Sequence, residues 1–425
     1  MKAFPPHRST RRTRPSYVAA PPLTRPDDAA EGADVMAEVP GPAGVLLFGA
    51  LRDFMLWVET PAGERKGLFA YGAGVLRREA VAAAAPDQEL WGPLLSLAQM
   101  TDAPEAADPG RLAYACRAVA RWAERRGAPG TRLAFAQAAA LALPSDPKLA
   151  LDTARLARDL ARHAPAETWF RAAIKLARRR DWESYAWGFI GLGVLYIRTG
   201  NYPAAQTVIG RALRTSVKRR MRPLQASAHH HLFNLLVDAS RLREAYEHAR
   251  AALQAYDADN PNLPVLAHDL GRYWLVVGRH DRAVPVLEAV APRLDQPTRM
   301  VATANLAHAA ARSGDRSRYE AAREQALGMA ETYAAGARAA EVLTILSWAD
   351  AEAREWGRAE ELARRAQMLA TARGESDVRI LAEQHLERVR DRRAAEAPVR
   401  EPETAGSGRF ADRLARELVR TLAPA

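Results

Sequence analysis

Between residues 113 and 373 the chain returns, every 34 to 40 residues, to one arrangement of small and large apolar side chains. This periodicity restricts the fold more than any other feature. In "AWGFIGLGVLYIRTGNYPAAQTVIGRALRTSVKR" (186–219), Leu192 and Gly193 are followed by Tyr196, Gly200, Tyr202, Ala205, Ile209 and Ala212. Residues 264–297 fill the same slots with Leu270, Gly271, Trp274, Gly278, Ala283 and Leu287. Sparser copies keep Leu232, Leu236, Ala245 and Ala252 (226–259), Leu346, Trp356, Ala359 and Ala366 (340–373), and Leu306, Gly314 and Ala326 (300–333). Upstream, Ala166, Phe170 and Ala173 mark 147–180, and Gly127, Ala139 and Pro144 mark 113–146. Apolar residues at i, i+3, i+4 and i+7 make each unit two amphipathic helices. The small residues let the two helices approach, and Gly200 ends the first by a left-handed turn. A hairpin of this size cannot bury its apolar face alone, so neighbours must stack.

These positions resemble the tetratricopeptide repeat, with Phe189 where Trp is usual and Ile209 where Phe is usual. The resemblance covers about 110–375 and implies an all-α, right-handed superhelical solenoid of about seven hairpins, residues 111–375. Residues 1–40, basic and Pro-rich, read as a disordered arm without the apolar region of a secretory signal. Helices at 44–60, 75–85 and 90–100 read as an N-terminal helical cap (41–110), with a separate small module as the rival reading. Residues 376–396 read as a capping helix. Residues 397–425 read as a linker followed by a short amphipathic helix that docks on the body or on a partner.

Chemistry is hard to place on this chain. Its 425 residues contain one cysteine, Cys116, so neither an internal disulfide nor a CxxC metal site is available. No phosphate-binding glycine loop, zinc-protease or hydrolase motif occurs. No apolar run is long enough to span a bilayer, and a cytoplasmic address is expected. The run His229, His230, His231 looks like a metal site, but successive helical residues point about 100° apart and do not converge. No cofactor, no metal and no catalytic residue is expected.

The resemblance implies a concave groove lined from the first helix of each unit. Counting along the units assigns Lys148 and Arg155, then Arg198, then His230 and Asn234. Further on it assigns His268 and Arg272, His308, and Trp348; Trp187 joins as an aromatic anchor. Trp274 and Trp356 are expected in the core. Some family members grip a C-terminal carboxylate with a Lys–Asn clamp; here Asn234 is present but His230 stands for the Lys. A His230–His268 pair across neighbouring helices is a further geometric option.

The expected function is non-enzymatic binding of a protein or peptide, with acidic groups meeting the groove arginines. The alternative is a transcription-related regulator or nucleic-acid binder. Residues 147–222 hold sixteen Lys/Arg against five Asp/Glu, a surplus equal to the whole chain's net charge of +11. Lys218, Arg219, Arg220 and Arg222 would then carry phosphate contacts. An enzyme using a histidine-bearing groove is the remote third reading.

Overall fold

Short acidic and proline signals start many of the helices. Asp108, Asp146, Asp181, Asn201 and Asp295 each accept a backbone N–H from the turn that follows, satisfying donors that helix geometry leaves orphaned. Pro109, Pro147, Pro203 and Pro297 occupy the first or second helical position, where a missing N–H costs nothing. The structure is a computed structural model that describes residues 32–84, 87–257, 259–332, 338–391 and 409–422. The described residues hold helices and connecting turns, with no strand.

Four helices precede the repeats: α1 (Ala33–Glu38), α2 (Pro42–Glu59), α3 (Ala73–Ala84) and α4 (Gln88–Met100). Seven hairpins follow. They are α5 (Pro109–Arg125) with α6 (Pro129–Ala142), α7 (Pro147–Asp159) with α8 (His163–Ala177), and α9 (Trp182–Arg198) with α10 (Tyr202–Lys218). Next come α11 (Arg222–Asp238) with α12 (Leu242–Ala255), and α13 (Leu263–Val276) with α14 (His280–Val290). The last are α15 (Gln296–Ser313) with α16 (Arg316–Thr332), and α17 (Ala339–Glu352) with α18 (Trp356–Arg373). The chain ends in α19 (Ser376–Asp391) and α20 (Arg409–Leu422).

One backbone feature ties the hairpins to the sequence repeat. At the same register position of all seven, just after the first helix, the chain turns left-handed: Gly127 (φ 66°), Ala161 (56°), Gly200 (74°), Ser240 (57°), Gly278 (77°), Gly314 (77°) and Arg354 (61°). Glycine takes this conformation without a steric cost, whereas the other three hold it against a cost of about 1–2 kcal/mol each. Surrounding packing must impose the turn there.

The close approach expected at the Leu–Gly steps is present. A Cβ at Gly193 would lie 2.2 Å from Ile209 Cγ1, and one at Gly271 would lie 2.7 Å from Leu287 Cδ2. Ala205, Ala212, Ala245, Ala252, Ala359 and Ala366, on the facing second helices, are all fully buried. Trp274 is buried and Trp356 half-buried, both in packed apolar surroundings.

One feature departs from expectation at the N-terminus. Residues 1–31 lie outside the described residues, but the arm expected to be disordered through residue 40 is helical over α1. Val35 is fully buried, and Glu38 accepts the Gly130 and Thr131 backbone N–H groups at 2.8 and 2.7 Å. That carboxylate caps α6 and complements its positive end. Asp34 pairs with Arg162, so α1 bridges the first two hairpins. The basic, Pro-rich composition of residues 1–40 as a whole masks the short stretch 33–39, where Val35 and Val39 are buried and Glu38 supplies the cap.

At the other end α19 packs on α18 and α17, and α20 packs on α14. Asp412 of α20 accepts from Arg282 Nε at 2.7 Å, and Ala411, Leu414, Ala415, Leu418 and Leu422 are buried. The linker at 392–408 lies outside the described residues. The array also curves back on itself: α9 touches α19, and His163 Nε2 lies 3.2 Å from the Gly374 carbonyl oxygen.

Candidate functional site

The first helices of successive hairpins touch one another, from α7 through α9, α11, α13, α15 and α17 to α19. Because α9 also meets α19, this inner row encloses a channel rather than an open groove. Charged side chains converge there from hairpins far apart in sequence. Arg198 donates to the Arg158 carbonyl at 3.1 Å, lies 3.4 Å from Asp159, and feels both Arg338 and Glu341 beside α17. Arg272 donates to Asp238 at 2.8 Å and senses Asp269 and Glu341. Arg338 is bound to Glu341 at 2.8 Å. These side chains keep partial exposure, 28% for both Arg272 and Asp238, so they line solvent rather than fill a core. Asp377 faces the same charges, and burial, reinforced by Glu341, pushes its carboxyl up to about 6.

Beneath this lining lies a polar knot around Asp269. His230 Nε2 sits 2.8 Å from Asp269 Oδ2, Asn234 Nδ2 donates to the same oxygen at 2.6 Å, and His268 Nδ1 lies 2.9 Å from Oδ1. Burial alone would raise the Asp269 pKa, but the His230 and His268 rings hold it well below the ordinary carboxylate value. His230 also contacts the Tyr256 hydroxyl at 3.3 Å, and His268 Nε2 meets Asn305 Nδ2 at 3.2 Å. Two buried atoms of the knot make no hydrogen bond among the described residues: Asn234 Oδ1, and His268 Nδ1, which meets Asp269 only as an ion-pair contact.

The structure therefore changes several sequence-based assignments. His230 and His268 do not present open imidazoles to a groove. They are buried, with 5% and 1% exposure, because Asp269 draws them into the wall. They do not pair with each other; the carboxylate stands between them. His308 is buried too, its ring 6.0 Å from Trp348, which in turn packs edge-on to His385 at 6.2 Å. That aromatic cluster is packing. His229 turns away from its neighbours to His248, 2.8 Å distant, and no group of metal-ligating side chains occurs among the described residues.

Arg155 lies over Trp187 at 5.3 Å, a cation–π contact that leaves this pair on α7 and α9 together. Lys148 is exposed at the start of α7 and joins none of the converging pairs. Of the expected set, Arg198 and Arg272 reach the channel, and Asn234 lies half-buried in the knot beneath it. The arginines expected to meet an acidic partner are already matched by Asp159 and Asp238, so the lining is of mixed sign. Sequence reasoning missed Asp238, Glu341, Asp159 and Arg158, although the repeat frame places all four at groove-lining positions of their units. Asp269, one place out of that frame, carries no such signal.

The basic run is not a free row of cations. Arg219 covers Trp182 at 4.0 Å, and Arg222 donates to the Gln254 carbonyl at 2.9 Å. On this outer side lies a cavity of about 830 Å³, between α8 and α10 and floored by α9. No helix of the described residues is long and apolar enough to cross a membrane.

No protein-family model and no curated protein matches the sequence. Solved structures do resemble it. The Rap conjugation regulator of plasmid pLS20, solved with the Phr* peptide, is 14% identical, with 85% of this chain and all (100%) of that one covered at a TM-score of 0.49. A Rap protein complexed with Competence and Sporulation Factor is 9% identical, covering 85% and 98% at a TM-score of 0.45. BtubC from P. vanneervenii is 16% identical, covering 53% and 92% at a TM-score of 0.37. At these values the architecture is read from the chain's own hairpins, and the protein is an all-α solenoid of tetratricopeptide-like repeats.

Proposed function

We propose that the protein is a non-enzymatic peptide-binding solenoid whose ligand threads the inner channel beside α9, α11 and α13. The observation that carries this reading is Asn234. Its amide nitrogen is pinned by Asp269, itself held by two histidines, so the side chain is fixed before any ligand arrives. Its carbonyl oxygen remains buried without a donor. A buried unmatched acceptor costs about 1–3 kcal/mol, which a ligand backbone N–H that displaces the lining above the knot would recover. Arg198, Asp238, Arg272 and Glu341 add charges of both signs along the same wall, suited to a peptide carrying both.

The test is retention of randomised short peptides by the full chain, read by native mass spectrometry. Wild type should retain a subset, and Asn234→Ala should weaken it by about 10-fold or more. Equal retention by a folded Asn234→Ala protein would overturn the reading.

A further inference from the structure

The outer cavity between α8 and α10 has a chemistry unlike the channel. Its floor is apolar, built from Phe189, Leu192, Ala204 and Val208. Its rim is cationic, with Arg214, Lys218 and Arg219 exposed along one side. Among the described residues no carboxylate pairs with any of those three. An uncompensated cationic rim over an apolar hollow of this size attracts a ligand that is both acidic and greasy.

The same molecule shows what such an outer face takes. On the fifth hairpin the second helix, α14, is covered by α20, an amphipathic helix that buries its leucines and sets Asp412 against Arg282. Arg282 stands at the register position, counted from Leu270–Gly271, that Ala204 holds when counted from Leu192–Gly193. Ala204 lines the cavity. The third hairpin thus offers an unfilled counterpart of the α20 seat, with the small Ala204 leaving the hollow and the cations moved out to its rim.

We infer that the α8–α10 cavity is a docking seat for an acidic amphipathic helix of a partner protein, apolar residues entering the floor and carboxylates meeting Arg214, Lys218 and Arg219. Nucleic acid fits less well. Stacking of bases needs bare aromatic faces, whereas Arg219 lies over Trp182 at 4.0 Å and Arg211 over Phe189 at 4.8 Å. The chain's own α20 does not suit the seat, since it carries more arginine than acid.

The probe is a fluorescent synthetic helix of Leu, Ala and Glu with Leu on one face, titrated against the full chain by anisotropy. Controls replace every Glu by Lys, or use a single-stranded oligothymidine. Wild type should bind the Glu helix. Arg214→Glu with Lys218→Glu should weaken it at least tenfold, and Ala204→Trp, which fills the floor, should weaken it comparably. Asn234→Ala should leave it unchanged, which separates this seat from the channel. The inference is overturned if the Glu helix fails to bind at about 1 mM, or if the Lys helix binds equally. It is also overturned if the oligonucleotide binds and Ala204→Trp leaves that binding intact, the signature of a charged surface without a seat.

Discussion

His308→Leu should make the protein less sensitive to acid. Burial, reinforced by Arg312, depresses the His308 pKa from 6.5 to about 3, and the ring is only 8% exposed. Between those values the unfolded chain binds a proton that the folded chain refuses. The stability contribution is therefore intact above pH 6.5 and drains away as pH falls towards 3. At pH 5 the gap from the unfolded pKa is about 1.5 units, or about 2 kcal/mol. His231, lowered to about 3, and His229 and His385, lowered to about 4, act with the same sign, so the wild-type chain should lose much of a typical domain's margin by pH 5. Leucine has similar volume, and the His308 ring makes no hydrogen bond among the described residues, so the variant should fall within about 1.5 kcal/mol of wild type at pH 7. Urea unfolding followed by far-UV circular dichroism, at pH 7 and pH 5, measures both. The variant should lose about 2 kcal/mol less than wild type; equal losses would refute a neutral, buried His308.

Two backbone substitutions should move stability in opposite directions. Gly193→Ala places a Cβ 2.2 Å from Ile209 and should destabilise by about 1–3 kcal/mol despite better helix propensity. Ala161→Gly relieves a left-handed residue (φ 56°) and should stabilise by up to about 1 kcal/mol, both read as urea midpoints. Asp269→Ala strands His230, Asn234 and His268 together and should cost about 3–5 kcal/mol, measured by thermal unfolding.

The repeat was legible because its constraints are local. The Leu192–Gly193 and Leu270–Gly271 steps, the alanines opposite them and the turn glycines report how two adjacent helices touch, and neighbours in sequence settle that. The left-handed turns at Ala161, Ser240 and Arg354 carry no compositional mark, since packing imposes them, although they fall at the register position of Gly200. The channel was less legible. Arg198 and Arg272 converge with charges of other hairpins, but whether an inward residue meets solvent or a partner depends on long-range curvature. That curvature brings Arg338 and Glu341 near Arg198, and no local pattern encodes it. His230, His268 and His308 read as groove-lining for the same reason: the role of His230 depended on Asp269 and that of His308 on Trp348, each one hairpin away, and that of His268 on Asn305 of the next hairpin as well as on its neighbour Asp269.

The contact between His163 and the Gly374 carbonyl has a bearing on how this protein comes apart. A stack of hairpins whose ends are free can peel from either terminus, each loss leaving the rest as stable as before. Here the second hairpin leans on the last, so removing either one exposes a surface on the other. Fraying at one end is then felt at the opposite end, and the array should melt more nearly as a single cooperative block than as independent links.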